Sequence, residues 1–307
     1  MKSIIAYVQN PYQIFEVMRT RSLTNWMPDS IYLKIIYKHV FHKNLNLKNP
    51  LTFNEKMQWL KINNRNPQYI NMVDKAAAKE YVASIIGTDY IIPTLKVWNS
   101  VDEIDLSQLP NQFVLKCTHD SGGVVVCKDK SNFDLETAKK RLQKSMNRNF
   151  YYYLREWPYK NVVPRIIAES FLSDENVGDL KDYKFFCFNG EVKCFKIDFD
   201  RFTEHHANYY NPNGMLLPFG ELQYPPKPEK EIKLPTKLNQ MITLAEQLSC
   251  DQPFLRVDFY EVHNKIYFGE LTLFPASGFG VFTSNEWDKK MGEWLDISIV
   301  HGGMDNE

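Results

Sequence analysis

The sequence predicts an α+β fold built on antiparallel sheets. Two observations carry this. Apolar runs come in pairs joined by tight-turn signals: Asn189-Gly190 between Tyr183–Phe188 and Val192–Phe199, and His263-Asn264 between Phe254–Val262 and Lys265–Leu271. The helical stretches also fail to alternate one-for-one with strands, as a parallel sheet would require. With 307 residues the chain has length for about two domains. Its 44% hydrophobic and 14% aromatic content excludes a disordered chain, because enough apolar surface is available to offset the entropy of ordering.

Residues 1–72 read as a helical, aromatic N-terminal segment. Ser30–His42 places Ile31, Ile35, Tyr37 and Phe41 among basic residues, the pattern of an amphipathic helix. Its Lys34, Lys38, His39, His42 and Lys43 form a basic face. That face reads first as solvated surface and second as a contact for a membrane or an anionic polymer. Thr52 and Glu55 make a capping box that opens a second helix through Trp59 and Leu60. Residues 74–86 are rich in Ala, Lys and Glu and read as helix, with Gly87 as a left-handed cap. Strands follow at Ile91–Val97 (interrupted by Pro93), Phe113–Cys117, Val124–Cys127 and Arg165–Phe171, with a charged helix over Leu135–Ser145. Residues 211–236 are a loop dense in Pro and Gly, Leu238–Ser249 and Glu286–Trp294 are helices, and residues 299–307 read as a frayed tail.

The 37 basic and 37 acidic side chains cancel, which argues against a general nucleic-acid binder. No apolar run reaches the ~18 residues of a membrane span, and the start lacks a signal-peptide pattern, so a cytoplasmic protein is expected. Five cysteines without C-x-x-C spacing fit reduced, buried thiols rather than a disulfide framework or a zinc site.

Three features could carry chemistry. The apolar strand Phe113–Lys116 ends in a cation and runs into Ser121-Gly122-Gly123, whose amides could approach a phosphate closely; an ordinary Gly-Gly turn is the plainer reading. In the last hairpin, strand alternation puts Arg256 with Asp258 on one face and Glu270 with Thr272 on another that pairs with it. Two carboxylates and a hydroxyl suit Mg²⁺ as hard oxygen ligands, and they equally suit a polar sheet face. The third feature is Ile166–Leu172, an apolar strand that opens into a polar loop able to offer backbone groups to a purine.

Taken in order, Asp74-Lys75, Lys116, Gly122-Gly123, Glu169, Lys184, Arg256-x-Asp258 and Glu270-x-Thr272-x-x-Pro275 resemble the ATP-grasp superfamily. The blocks LTFNEKMQWLK, FVLKCTHDSGG, DYKFFCFNGEV and RVDFY with GELT more closely resemble its TupA-like family of surface-polysaccharide gene clusters, over about Leu51–Leu295. The resemblance implies two α+β lobes clamping ATP: a helical segment 1–72, an N-lobe 73–168 with the glycine-rich loop, a C-lobe 169–298 with the metal site, and a disordered tail 299–307. By position, Lys75 and Lys116 would contact the nucleotide and its phosphates. Ser121, Gly122 and Gly123 would fold over the phosphates, and Glu169, Ser170, Phe171 and Leu172 would form the adenine hinge. Asp258 and Glu270 would hold Mg²⁺, with Thr272 standing where the superfamily often has Asn. Arg256, Lys116 and Lys184 would be catalytic. A second departure is the short helical start, where many ATP-grasp enzymes carry a larger α/β domain.

The implied reaction is ATP- and Mg²⁺-dependent amide formation through an acyl phosphate, joining a small amine or amino acid to a uronic-acid carboxyl. His119, His205 and His206 are candidate general bases, and structural histidines on the plainer reading. Two other readings compete. Asp198-Phe199-Asp200 is a D-x-D of the kind that holds a metal and a nucleotide sugar in a glycosyltransferase, although it is equally the polar face of a strand. The aromatic run Phe150–Tyr153 with Trp157 would suit a non-catalytic relic that binds glycans, although a core role explains it as well.

Overall fold

The computed structural model describes residues 11–173, 180–201 and 203–300, so most of the expected tail 299–307 lies outside the described residues. The chain begins with helices α1 (Pro11–Thr20), α2 (Asp29–Phe41), α3 (Phe53–Asn63), α4 (Gln68–Val73) and α5 (Ala77–Ile86). Strands β1 (Thr94–Trp98), β2 (Phe113–Cys117) and β3 (Val124–Cys127) precede α6 (Leu135–Met146) and the short α7 (Tyr151–Leu154). Then come β4 (Ile166–Ser170), β5 (Asp182–Phe188), β6 (Glu191–Phe199), β7 (His206–Tyr210), α8 (Leu238–Ser249), β8 (Phe254–Val262), β9 (Lys265–Thr272) and α9 (Asn285–Trp294).

Two antiparallel sheets result, in the orders β1-β4-β2-β3 and β7-β6-β5-β8-β9. In the first sheet Phe113, Leu115 and Cys117 alternate inward and pack with Ile166, Ala168 and Leu142 of α6. Alternation therefore turns Lys116 of β2 and Glu169 of β4 to the opposite face. In the second sheet α8 covers one face, where Cys187 Sγ reaches the Ala245 carbonyl at 3.7 Å. Cross-strand register then lines up Lys196, Lys184, Asp258 and Glu270 on one row and Asp198 with Asp182 on the next. Both hairpin turns have positive φ at their two central residues (51° and 83° at Asn189-Gly190, 49° and 59° at His263-Asn264), the geometry that matches strand twist.

The N-terminal helices are not a separate body. Phe53, Met57, Leu60, Tyr69 and Met72 join the apolar core of the second sheet, and Phe53 meets Phe254 edge-on at 5.2 Å. Only α1 and α2 have a small core of their own, around Phe15, Tyr32, Leu33, Ile36 and Tyr37. Arg155 is sealed into it, donating to the Thr24 carbonyl at 2.7 Å and lying 4.2 Å over the Tyr32 ring. The aromatic run serves this packing: Tyr151 and Trp157 are buried, and Trp157 donates to the Asn64 carbonyl at 2.8 Å.

Several local expectations change. The buried stripe of α2 is Tyr32, Leu33, Ile36 and Tyr37, with Ile31 exposed, because Ile31 falls on the same face as Lys34 and Lys38. Lys75 precedes α5 instead of lying within it, since Asp74 turns the chain by accepting from the Ala76 and Ala77 amides. Gly87 has φ 97° and ψ 160°, outside the left-handed helical region. β1 starts after Pro93, which cannot donate to a ladder. β7 was not expected, and Cys250 is exposed whereas the other four thiols are buried. The expected 168/169 lobe boundary falls inside β4, which stays in the first sheet through Ser170.

The joint between α3 and α9 is close. A Cβ on Gly292 would meet Leu51 O at 2.2 Å and the Thr52 carbonyl carbon at 2.8 Å, both backbone atoms. Gly292→Ala should therefore destabilise the fold by about 1–3 kcal/mol, the usual cost of overpacking. Thr52→Ala should cost about 1 kcal/mol, because it removes the acceptor for the Glu55 amide. Urea unfolding measures both, and an unchanged midpoint for Gly292→Ala would show that the two helices do not meet this closely in solution.

Candidate active site

The exposed faces of the two sheets enclose a cleft of about 360 Å³. Lys75, Lys79, Lys116, Ser121, Gly122 and Glu169 line one wall. Asp182, Lys184, Arg201, Asp258, Gly269 and Glu270 line the other, and Met72, Val73, Phe268 and Leu271 supply apolar surface. The cleft is thus apolar at one place and densely ionic at another, as a nucleotide with a base and phosphates requires.

On the first wall Glu169 is buried between two ammonium groups, Lys79 at 2.6 Å and Lys116 at 2.5 Å. Burial opposes its ionisation, but Lys116 and Lys79 outweigh burial and hold the carboxyl below its ordinary range. The carboxylate also keeps the two lysines apart and in place. Lys79 is fixed further by the Ile92 carbonyl at 2.8 Å and the Thr94 hydroxyl at 3.1 Å. Lys75 donates to the Asp120 carbonyl at the tip of the β2–β3 turn. In that turn Gly122 has φ 122° and open space where a side chain would sit. The Ser121 and Gly122 amides have no protein acceptor among the described residues, so they are available to an anion. Gly123 serves closeness instead: a Cβ there would meet Ser145 Oγ at 2.7 Å and the Asp120 carboxylate at 2.9 Å. Ser170, Phe171 and Leu172 leave β4 half-buried, and the Ser170 amide donates to the Pro93 carbonyl at 3.0 Å.

On the second wall Arg256 grips Asp258 through two 2.7 Å bonds and comes within 3.9 Å of Glu270. Lys184 reaches Asp258 at 3.2 Å and Asp198 at 3.3 Å and donates to Asp182. Burial alone would lower the Lys184 pKa; Asp182 and Asp258 more than reverse this and keep it a cation. Asp258 is likewise held below its ordinary range by Arg256 and Lys184 against burial. Asp182 moves the other way, raised by burial and by the Asp258 charge, and one of its oxygens has no partner.

The oxygen set fits Mg²⁺ chemically. Glu270 is 43% exposed and lines the cleft, and among the described residues its partner is Arg256 at 3.9 Å. Asp258 keeps lone pairs beyond those used by Arg256, and Thr272 stands in register with Arg256. Mg²⁺ bound to phosphates needs only one or two protein carboxylates.

The D-x-D pair does not act as a unit. Both residues border a second cavity of about 280 Å³, but Asp198 is held by Lys184, Lys196 and His205, and Asp200 gives both oxygens to Lys230 at 2.7 and 2.6 Å. No group of three metal-ligating side chains gathers there, or around Asp258 and Glu270, among the described residues. Two of the three histidines are structural: His119 contacts the Ser145 and Arg148 carbonyls, and His206 the Pro225 carbonyl. His205 stacks on Tyr224 beside Asp198, and burial lowers its pKa. Lys79, Asp182 and Arg201 were not anticipated. Lys79 was legible as the second cation of DKAAAK, four residues after Lys75, whereas Arg201 lies beyond β6 and carried no pattern.

Beyond β9 the chain turns through Ala276, Ser277 and Gly278, all left-handed, with φ of 46°, 53° and 64°. Each such non-glycine residue costs roughly 1–2 kcal/mol and needs support from its surroundings. No helix among the described residues is long and apolar enough to cross a membrane.

The family model for TupA-like ATP-grasp proteins matches residues 55–296. Among solved structures, D-alanine–D-alanine ligase from Helicobacter pylori is 16% identical with a TM-score of 0.43, covering 79% of this chain and 68% of that one. The Bacillus anthracis D-alanine–D-alanine ligase complexed with ATP is 13% identical, with a TM-score of 0.37 and coverage of 66% of this chain and 54% of that one. A RimK domain ATP-grasp protein from Sphaerobacter thermophilus is 11% identical, with a TM-score of 0.41 and coverage of 76% and 70%. The chain thus spans little more than half of the Bacillus anthracis enzyme. No curated protein matches the chain in sequence. The family match takes in both sheets and every residue of the cleft, and the chain belongs to the TupA-like ATP-grasp family.

Proposed function

We propose that the chain is an ATP- and Mg²⁺-dependent carboxylate–amine ligase, acting on a uronic-acid carboxyl of a surface polysaccharide or its precursor and a small amine or amino acid. The observation that carries this reading is the two-walled cleft. Lys75, Lys79 and Lys116 face Asp258 and Glu270 across it, with an unengaged glycine turn at its edge.

In the proposed mechanism the Ser121 and Gly122 amides, Lys75 and Lys116 take the phosphates, and residues 169–172 take the base. Glu270 and Asp258 would hold Mg²⁺, which when bound would supply neutralisation of the phosphate charge. The substrate carboxylate attacks the γ-phosphorus, the bond to the bridging oxygen breaks, and ADP leaves. The amine nitrogen then attacks the acyl carbon, the carbon–oxygen bond breaks, inorganic phosphate leaves, and the nitrogen loses a proton. Arg256, fixed by Asp258, and Lys184, held charged by its three carboxylates, face the developing negative charge without reorganising. Asp182, with a raised pKa and an unpartnered oxygen, is the titratable group of the cleft best suited to accept the proton.

Mg·ATP at about 100 times its dissociation constant should add ~2.7 kcal/mol to the folded state, and UDP-glucose or UDP-glucuronate should add nothing. A melting shift with a UDP-sugar alone would replace the ligase with the glycosyltransferase. Glu270→Gln should fold normally, because the side chain is half-exposed, and should lower ADP release at least ~100-fold in an amine and carboxylate screen. Retained turnover in the pure variant would remove Glu270 from the metal site.

Acid should break the ion pairs within each wall. Glu169 and Asp258 have folded pKa values below their unfolded ones. The stability they contribute is therefore complete above the unfolded carboxylate value of about 4, and is lost as pH falls through the lower folded values. Urea unfolding between about pH 2 and 6 should show this loss, and Glu169→Gln should reduce its slope. An unaltered slope would mean that Glu169 is not paired in solution.

A further inference from the structure

One face of α3 is buried, polar and unused by the cleft. Asn54, Gln58 and Lys61 recur at intervals of four and three residues, and all are at most 1% exposed. Their side chains converge on the left-handed turn that follows β9. Gln58 Nε2 donates to the Ser277 carbonyl at 3.2 Å and to the Gly278 carbonyl at 2.6 Å. Lys61 Nζ donates to the Ser277 carbonyl at 2.6 Å, to Gln58 Oε1 at 3.0 Å and to the Leu154 carbonyl at 2.9 Å, which uses all three of its protons. Asn54 Nδ2 donates to the Gly280 carbonyl at 2.9 Å and is itself fixed by Asp288 at 3.1 Å. From the other side the Ser277 hydroxyl donates to the buried Glu156. An amide, an ammonium and a carboxamide are expensive to bury, and here they are spent on four carbonyls of the turn and its neighbours.

The turn adjoins the cleft without lining it: Ala276 comes four residues after Thr272, where β9 ends. β9 runs from Phe268, which bridges to Ile91 beside the first sheet, to Glu270 and then Thr272. The turn lies just beyond, at the carboxylate end. Glu156, which anchors it, feels the charges of Glu270 and Arg256. On the ligase reading the nucleotide base would take the other end, which leaves this end for a second substrate that meets an activated carboxyl.

We propose that Asn54, Gln58 and Lys61 are positioning residues: they hold the strained 276–280 turn so that it presents the amine to the activated carboxyl, and they do not contribute to nucleotide binding. This rests on the ligase reading for the roles of the two ends, but not for the clamp itself.

Gln58→Leu and, from the other side of the same contact, Gly278→Ala test it; a Cβ at Gly278 would meet Gln58 Nε2 at 2.5 Å. Each should lower kcat/KM for the amine about tenfold or more, with the Mg·ATP melting shift unchanged. Each should also speed hydrogen exchange of the 276–280 amides. Adding Ala276→Gly to Gln58→Leu should restore both readouts in part, because glycine adopts this conformation without strain. A merely structural α3 would not be rescued by that glycine. Equal loss of ATP binding and amine use, or failure of the glycine rescue, would overturn the positioning role. If the native protein releases no ADP with any amine, the ligase reading fails. The exchange measurement then decides the clamp alone, and native-like protection in Gln58→Leu would overturn it.

Discussion

Every ionised group that the two sheets bury at their common cleft is neutralised within its own wall. Glu169 is paired by Lys79 and Lys116 of the first wall; Asp258, Asp182 and Asp198 are paired by Arg256, Lys184, Lys196 and Arg201 of the second. Removing one partner from such a pair costs about 3–5 kcal/mol, because the other charge is left without water. The rest of the site depends on this constraint. Because the walls need nothing from each other, the groups left uncommitted are the ones a nucleotide could use: Glu270, the Ser121 and Gly122 amides, and the outer donors of Lys75 and Lys116.

The same constraint explains how Lys184 keeps its charge in a low-dielectric cleft. A lone ammonium there would shed its proton or draw in water. Lys184, which lines the cleft, keeps its charge through three carboxylates, and Arg256, which does not line it, is held in place by two bonds to Asp258. Asp258 orients Arg256; in the proposed ligase it would also offer oxygen to a metal, a task for which its cross-strand partner Glu270 has the freer carboxylate.

Much of this was legible in the sequence because alternation and turn chemistry act over a few residues. The Asn189-Gly190 and His263-Asn264 turns set the register of two hairpins, and register set which charges share a face. The turn alone would set Asp258 opposite Gly269; a bulge between Asp258 and Phe259 moves it opposite Glu270, and that shift had no signal in the turn. The errors came where tertiary packing decides. Ile31 fits a helical stripe as well as Leu33 does, and the face that packs in the small core with Phe15 is the one carrying Tyr32, Leu33, Ile36 and Tyr37. Arg201 reaches Asp182 from another strand's end, a contact with no local pattern. The D-x-D was ambiguous as sequence because spacing shows which residues could meet. Lys230, thirty residues on, determines that Asp200 is already engaged.

The N-terminal segment shows the limit most clearly. As sequence, α3 offers a capping box at Thr52 and Glu55 and a helix through Trp59 and Leu60. Nothing within a helix predicts that Gln58 and Lys61 are among its most deeply buried residues. The reason lies more than two hundred residues away, in a turn whose two left-handed non-glycine residues need external hydrogen bonds to persist. Burial lowers the Lys61 pKa to about 7, so its charge is costly, yet three oxygen acceptors and no carboxylate within 4 Å await it. A neutral amine would leave one of those acceptors empty, and an apolar side chain would leave all three. The ammonium ties one carbonyl of the turn, at Ser277, to the Leu154 carbonyl and to Gln58, whose own amide holds the turn at Ser277 and Gly278. The short helical start of this chain is therefore tied to the carboxylate end of the cleft through backbone carbonyls, which any side chains around residues 276–280 would leave available.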